Sequence, residues 1–306
     1  MYRLSQIANG LRHPNLILRE VNRYYFLCLY TRQFNAAGLD VFAEDWDNLI
    51  ILDACRHDAF ESESTLPGTL EARESRASET VGFLKANLSG RDLRDTVYVT
   101  SNPQLYRFRD EIDANLHDVI NVWQDEGWDD TLGTVRPETT TEHAIEASEQ
   151  YPNKRIVVHY IQPHYPFLET DVDFDKGHLE IDDPGEPNLW YKKMWGELPV
   201  SGDTLWQLYM DNLRQTLPHV ESLLDSLRGK SVVTSDHGNM FGERSFPIPI
   251  QEWGHPHSTF TEELVKVPWL VVSDGDRRNI VAGDSQTHRD ADVDVEERLR
   301  NLGYAR

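Results

Sequence analysis

Lysine is scarce in this chain. Only seven of its 30 basic residues are lysine, and the 30 are outnumbered by 52 Asp and Glu, for a formal charge of -22. So acidic a balance argues against a general nucleic-acid binder, because a phosphate backbone needs a basic face. It suits solubility at high salt, where screening removes the self-repulsion of such a surface, and a halophilic protein is expected. Cysteine is nearly missing too: Cys28 and Cys55 define no disulfide framework, and a reducing compartment is the default. No apolar run reaches the roughly eighteen residues of a membrane span, and no charged-then-apolar leader opens the chain. A spanning or exported form is therefore disfavoured, and a cytoplasmic location is expected. Internal repeats and low-complexity tracts are absent.

What is present is enough chain, 306 residues, to bury a sizeable core. Residues 1–45 stand apart as a basic, helical N-terminal segment. Within residues 1–35, Arg3, Arg12, Arg19, Arg23 and Arg32 face only Glu20 in acid, and the run from Leu16 to Tyr30 is rich in Leu, Tyr and Phe. Two readings stand for it: a peripheral membrane contact by an amphipathic helix on an anionic surface, or a helix packed on the main domain with its arginines facing acids. Residues 46–306 read as one α/β domain. Strands are expected at Asn48–Asp53, Thr96–Thr100, Val119–Trp123, Arg155–Ile161, Ser231–Ser235 and Lys266–Val272. Helices are expected at Ala54–Phe60, Ser78–Leu88, Thr139–Gln150, Leu205–Leu227 and Asp292–Leu302. A polar excursion fills about 169–201. Strands alternating with helices predict a mostly parallel central sheet with helices on both faces, whose sites lie at the carboxyl ends of strands.

Polar residues gather at those ends. Asp53, Asn102, Gln162 with His164, and Asp236 with His237 each follow a predicted strand at once. In Val232-Val233-Thr234-Ser235-Asp236-His237-Gly238, neighbouring side chains on a regular strand would point to opposite faces, so Asp236 and His237 can reach one ion only past the strand end. Gly238 would then permit a sharp turn away from the sheet.

Three blocks resemble the alkaline phosphatase superfamily, in its sulfatase-like and phosphoglycerol-transferase branches. They are Asn48 to Asp58; Tyr209 to Glu243, with helix, strand, Asp-His-Gly and Gly242-Glu243 in order; and His255 to Val272. The Leu302-Gly303-Tyr304 ending is also similar. The resemblance implies a three-layer sandwich and a metal-bound nucleophile at the start of the helix that follows the first strand. Thr80 and Ser78 are the candidates. The Thr80-to-Gly90 interval matches sulfatase-like members, whereas Ser78-Glu79 is similar to the serine motif of cofactor-independent phosphoglycerate mutases. A helix N-terminus there would add a favourable dipole for the anion attacked.

The implied metal ligands are Asp53, Thr80, Asp236 and His237, a set suited to Zn or Mn. No Asp-x-x-x-His after the Arg155 strand provides for a second metal. His164 and His257 are the implied catalytic histidines, at the substrate or leaving group. His255, Asn102 and Arg56 are implied substrate-binding residues, with pairing to Asp58 as the other reading of Arg56. His255 and His257 could instead complete a second metal site. His159, inside its strand, is expected in the core or behind the ligands. Neither cysteine stands in the Cys-x-Pro-x-Arg context that yields formylglycine. The resemblance thus implies a hydrolase or transferase acting on a phosphorylated small-molecule, lipid or glycan substrate through a covalent intermediate. Its alternatives are a sulfatase-like esterase without formylglycine and a silent, membrane-associated binding protein.

Overall fold

The computed structural model describes residues 12–29, 34–124, 127–168, 188–285 and 294–302. Its eleven strands are β1 (Asn48–Asp53), β2 (Thr69–Glu74), β3 (Asp92–Thr100), β4 (Asn115–Asn121), β5 (Trp128–Asp129), β6 (Thr134–Val135), β7 (Arg155–Pro163), β8 (Gly229–Thr234), β9 (Met240–Arg244), β10 (Gln251–Gly254) and β11 (Lys266–Asp274). The helices used below are α1 (Pro14–Leu29), α2 (His57–Glu63), α3 (Thr80–Leu88), α4 (Pro137–Gln150), α5 (Leu189–Trp195), α6 (Gly202–Ser226) and α7 (Val295–Asn301).

Seven strands form one sheet in the order β2-β11-β8-β1-β7-β3-β4. β1 pairs in parallel with β7 and β8, and β3 in parallel with β7 and β4; β11 alone runs against its neighbours, β8 and β2. The expected fold class is the one observed. Every residue of β1 is buried, as a continuous apolar run in the middle of a two-sided sheet must be. Side chains alternate along it. Ile50 and Leu52 enter a core with Ala144 and Ala147 of α4 and Leu213 and Val220 of α6, while Leu49 and Ile51 enter a second core with Phe83 and Leu84 of α3. The two cores are the two faces of the sheet.

The edge strand β2 was not expected. Its sequence, Thr-Leu-Glu-Ala-Arg-Glu, is largely exposed and charged, so pairing with β11 rather than burial defines it. Of the polar excursion, residues 188–201 are described and include a helix. Within its described part, Asn188 caps α5 by accepting from the Tyr191 N–H, and Gly196 ends the helix in a left-handed conformation at φ 76°. The Gly303-Tyr304 ending lies outside the described residues.

α1 packs on the domain. Arg19 and Glu252 form a buried ion pair, Arg19 stands 5.1 Å over the Tyr191 ring, and Phe26 meets Phe260 edge-on at 6.0 Å. Asn22 donates to the Ile248 carbonyl (2.9 Å) and accepts from its N–H (2.8 Å). Residues 1–11 and 30–33 of the basic segment lie outside the described residues. No helix among the described residues is long and apolar enough to cross a membrane.

Candidate metal centre

The carboxyl edge of the sheet brings together the ends of β1 and β8, the interior of β7 and the start of α3. Asp53, Asp236, His237, Thr80 and His159 are all buried there, at 0–1% exposure. Local backbone irregularity aims them. The β1–β7 register shifts between Leu52 and Asp53. Ala54 then takes a left-handed conformation, φ 58°, which costs an L-residue about 1–2 kcal/mol. That turn directs the Ala54 N–H at Asp236 Oδ1 (3.0 Å), which also accepts the His237 N–H (2.9 Å). Two backbone donors thus fix one oxygen of Asp236 and present Oδ2 inward, where it has no hydrogen-bond partner among the described residues. Asn102 Nδ2 donates to Asp53 Oδ2 at 2.8 Å and fixes that carboxylate in the same manner.

His237 Nδ1 lies 2.8 Å from the Gly238 carbonyl, which can only accept, so Nδ1 bears the proton. Nε2 faces Asp236 Oδ2 (3.3 Å), Asp53 Oδ1 (3.6 Å) and Thr80 Oγ1 (3.3 Å). Gly238 is needed here for a reason other than the sharp turn expected of it: a Cβ would stand 2.0 Å from the Glu263 carbonyl oxygen. Backbone cannot yield as a side-chain tip does. Gly238→Ala is expected to cost about 2–4 kcal/mol and to displace His237, read as a lower melting temperature together with weaker metal uptake.

His159 was expected in the core or behind the ligands. It is buried, with its Nε2 3.8 Å from Asp236 Oδ2, and one ligand atom each from Asp53, His159 and Asp236 lie within 4.8 Å of one another. Its Nδ1 is 3.0 Å from the Tyr98 hydroxyl. Burial pushes the His159 pKa down to about 4, favouring the neutral imidazole that binds metals. A single mid-strand histidine gave no local signal. Only the pairing of β7 beside β1 reveals it.

These residues fit a divalent cation on two grounds. Two carboxylates at 0% exposure cost several kcal/mol each without a compensating charge, and Asp236 has no Lys or Arg partner among the described residues. Two donors on one tetrahedral ion, each about 2.0–2.1 Å from it, stand about 3.3 Å apart, close to the separations around His237 Nε2.

The other expected residues fall nearby with distinct partners. Thr80 is the first residue of α3, and its hydroxyl faces His237. The Ser78 hydroxyl donates to the Pro256 carbonyl (2.8 Å) and accepts the Thr259 N–H (3.3 Å). Neither is the helix cap; that is Glu79, whose carboxylate takes the N–H groups of Val81 (2.8 Å) and Gly82 (2.6 Å). The anion expected at this helix end is therefore the protein's own. His164 and His255 share a hydrogen bond, Nε2 to Nε2, at 2.9 Å, and the His255 ring lies 4.7 Å from that of His237. Desolvation lowers both pKa values, that of His164 to about 4. His257 is well exposed, with Nδ1 3.1 Å from Glu79 Oε1. Arg56 pairs bidentately with Asp58 (2.8 and 2.6 Å) and with Glu243, and stacks on Trp206.

Fold and site define a class: an α/β protein with a buried carboxylate–imidazole centre at the carboxyl edge of a mostly parallel sheet. Solved structures similar to this chain include phosphoethanolamine transferases, sulfatases and a phosphonate monoester hydrolase. The C-terminal periplasmic domain of EptC from Escherichia coli, in complex with Zn, gives a TM-score of 0.44 at 14% identity over 77% of this chain and 75% of that one. The corresponding domain of the phosphoethanolamine transferase EptC from Campylobacter jejuni gives 0.46 at 12%, over 74% and 78%. A phosphonate monoester hydrolase from Silicibacter pomeroyi gives 0.46 at 14%, over 76% and 69%. At these identities the activities remain those proteins' own. No family model and no curated protein sequence matches the chain.

Proposed function

We propose that this protein is a metal-dependent phosphoester hydrolase or transferase with Thr80 as nucleophile. The observation that carries the reading is the burial of Thr80 Oγ1 3.3 Å from His237 Nε2, which itself faces both Asp53 and Asp236. A divalent cation, Zn or Mn by donor type, held by Asp53, Asp236, His237 and Thr80 with His159 alongside, would supply Lewis acidity and lower the pKa of a hydroxyl.

The chain's residues do the rest. Asn102 holds Asp53, and the backbone N–H groups of Ala54 and His237 hold Asp236, so neither carboxylate must reorganise during reaction. Thr80 Oγ1 attacks phosphorus in line. The Oγ1–P bond forms as the P–O bond to the leaving alcohol breaks, and that alcohol takes up a proton. Of the two histidines assigned to the leaving group, His164 carries no surplus proton at neutral pH, since its pKa lies near 4. It donates from Nδ1 to the Tyr165 carbonyl and accepts at Nε2 from His255, so it is not the proton donor in this reading. His257, exposed beside Glu79, is the proton donor in this reading. Arg56, held by Asp58 and Glu243, anchors the loop after β1 more than it reaches for phosphate. Water then cleaves the Thr80 Oγ1–P bond, releasing the phosphomonoester left from a diester or phosphate from a monoester, or an acceptor alcohol takes the group. The substrate class is a phosphodiester, or a phosphorylated lipid or glycan.

The acidic, lysine-poor surface fits work at high salt, and the two free cysteines fit a cytoplasmic, membrane-peripheral setting. The test is a panel of phosphate monoesters, phosphodiesters and sulfate esters with protein loaded with zinc or manganese. Phosphodiester turnover that chelation abolishes is expected. Turnover of sulfate esters alone, or of nothing with either metal, overturns the reading.

A further inference from the structure

The turn after β1 is held by side chains from distant parts of the chain. Ala54, Cys55 and Arg56 each donate a backbone N–H to one of them: to Asp236 Oδ1 (3.0 Å), Ser235 Oγ (2.8 Å) and the Tyr209 hydroxyl (2.9 Å) in that order. Tyr209 uses the same hydroxyl to donate to the Ala54 carbonyl (3.0 Å). Its ring is buried on α6 and packs against Trp206 and Phe241, with centroids 5.5 and 4.9 Å away. The hydroxyl is thus placed by α6 and β9, not by the turn it holds.

These bonds pin both peptide planes that flank Ala54. The plane between Asp53 and Ala54 is held by its N–H on Asp236 and by its carbonyl, which accepts the His164 N–H at 3.2 Å. The plane between Ala54 and Cys55 is held by its carbonyl on Tyr209 and by its N–H on Ser235, whose own hydroxyl donates to the His237 carbonyl (2.5 Å). The left-handed conformation of Ala54, φ 58°, lets both planes be held at once. An L-residue keeps that conformation only where its surroundings enforce it. Released, Ala54 would relax to negative φ and turn the first plane away from Asp236 Oδ1, disturbing Asp53, Asp236 and His164 together.

We infer that Tyr209 is a positioning residue of the metal centre: its hydroxyl holds Ala54 in the left-handed conformation that aims Asp53 and Asp236 at one ion. Tyr209 touches neither ion nor substrate in this role and acts through the two peptide planes. Of the three acceptors, Ser235 and Asp236 directly follow β8, whereas Tyr209 ties the turn to α6. The assignment rests on the proposed metal centre, and on neither the proposed nucleophile nor the proposed substrate.

The experiment is a zinc titration of the full chain, by competition with a chromophoric chelator. It compares wild type, Tyr209→Phe, and the double variant Tyr209→Phe, Ala54→Gly. Tyr209→Phe deletes one oxygen and keeps the packed ring, and is expected to bind zinc about tenfold more weakly. Glycine adopts positive φ without the Cβ penalty, so the double variant is expected to return to within about threefold of wild type. Its melting temperature without metal should stay lowered, because the Arg56 N–H has still lost its acceptor. Equal zinc affinity in wild type and Tyr209→Phe, even with a lower melting temperature, makes Tyr209 a packing residue only and overturns the assignment. So does a double variant that binds no better than Tyr209→Phe. Should Tyr209→Phe be too unstable to load, the double variant is still expected to fold and bind zinc, and its failure to do so overturns the assignment as well. A wild type that takes up no zinc overturns the metal centre itself and this assignment with it, an outcome distinct from equal binding by wild type and variant.

Discussion

Thr80→Ala is expected to lower phosphodiester turnover by about 10³-fold or more, with the folded state preserved. The hydroxyl sits at the first position of α3 and is not the helix cap, so its loss leaves the N-terminal hydrogen bonds of α3 with Glu79. Thr80→Ser keeps the nucleophilic oxygen and loses one buried methyl. Its expected cost is about 1 kcal/mol of stability and a far smaller loss of rate. Ser78→Ala behaves in the opposite way. It removes hydrogen bonds with Pro256 and Thr259, costing about 1–2 kcal/mol of stability, and leaves turnover within a few-fold of wild type. Steady-state kinetics and thermal melts on the three variants check the pattern. Were Ser78→Ala the inactive one, the assignment of the nucleophile would be reversed.

The second large effect concerns Asp236. Asparagine can keep the Oδ1 acceptor that the N–H groups of Ala54 and His237 require, while removing the charge of a fully buried carboxylate. Asp236→Asn is therefore expected to weaken metal binding by more than about 100-fold and to abolish turnover. Metal-free, the variant should be at least as stable as metal-free wild type, because one of two adjacent buried anions is gone. Wild type should gain about 4 kcal/mol from metal present at about 1,000 times its Kd, and the variant little. Calorimetric melts with and without added zinc measure all four states. Equal stabilisation of both proteins by zinc would place the ion elsewhere.

The fold was legible in the sequence wherever burial wrote it. β1 is read to the residue, because six consecutive buried positions in a central parallel strand leave no polar interruption. The α6 helix and β8 are recovered within three residues at either end. β2 was hidden because an exposed edge strand owes its existence to a partner distant in sequence. Asp53, Asp236 and His237 announce themselves as polar residues ending apolar runs. His159 could not, since it lies inside such a run and only the β1–β7 register sets it beside Asp236. Glu79 was overlooked as the cap of α3, and with it the loss of that helix end as an anion site. Gly238 was singled out for its backbone freedom, yet the constraint comes from Glu263, 25 residues away, which no local pattern records.

The most direct test of the central claim is to find where phosphorus goes. Metal-loaded protein would be mixed with a phosphodiester, quenched in acid, digested and sequenced by mass spectrometry. The substrate's phosphorus on Thr80, as an alkylphosphoryl ester that keeps the remaining alcohol, is predicted, and is absent in Asp236→Asn. Turnover with Thr80 unmodified, or the same adduct on Ser78 instead, would contradict the account.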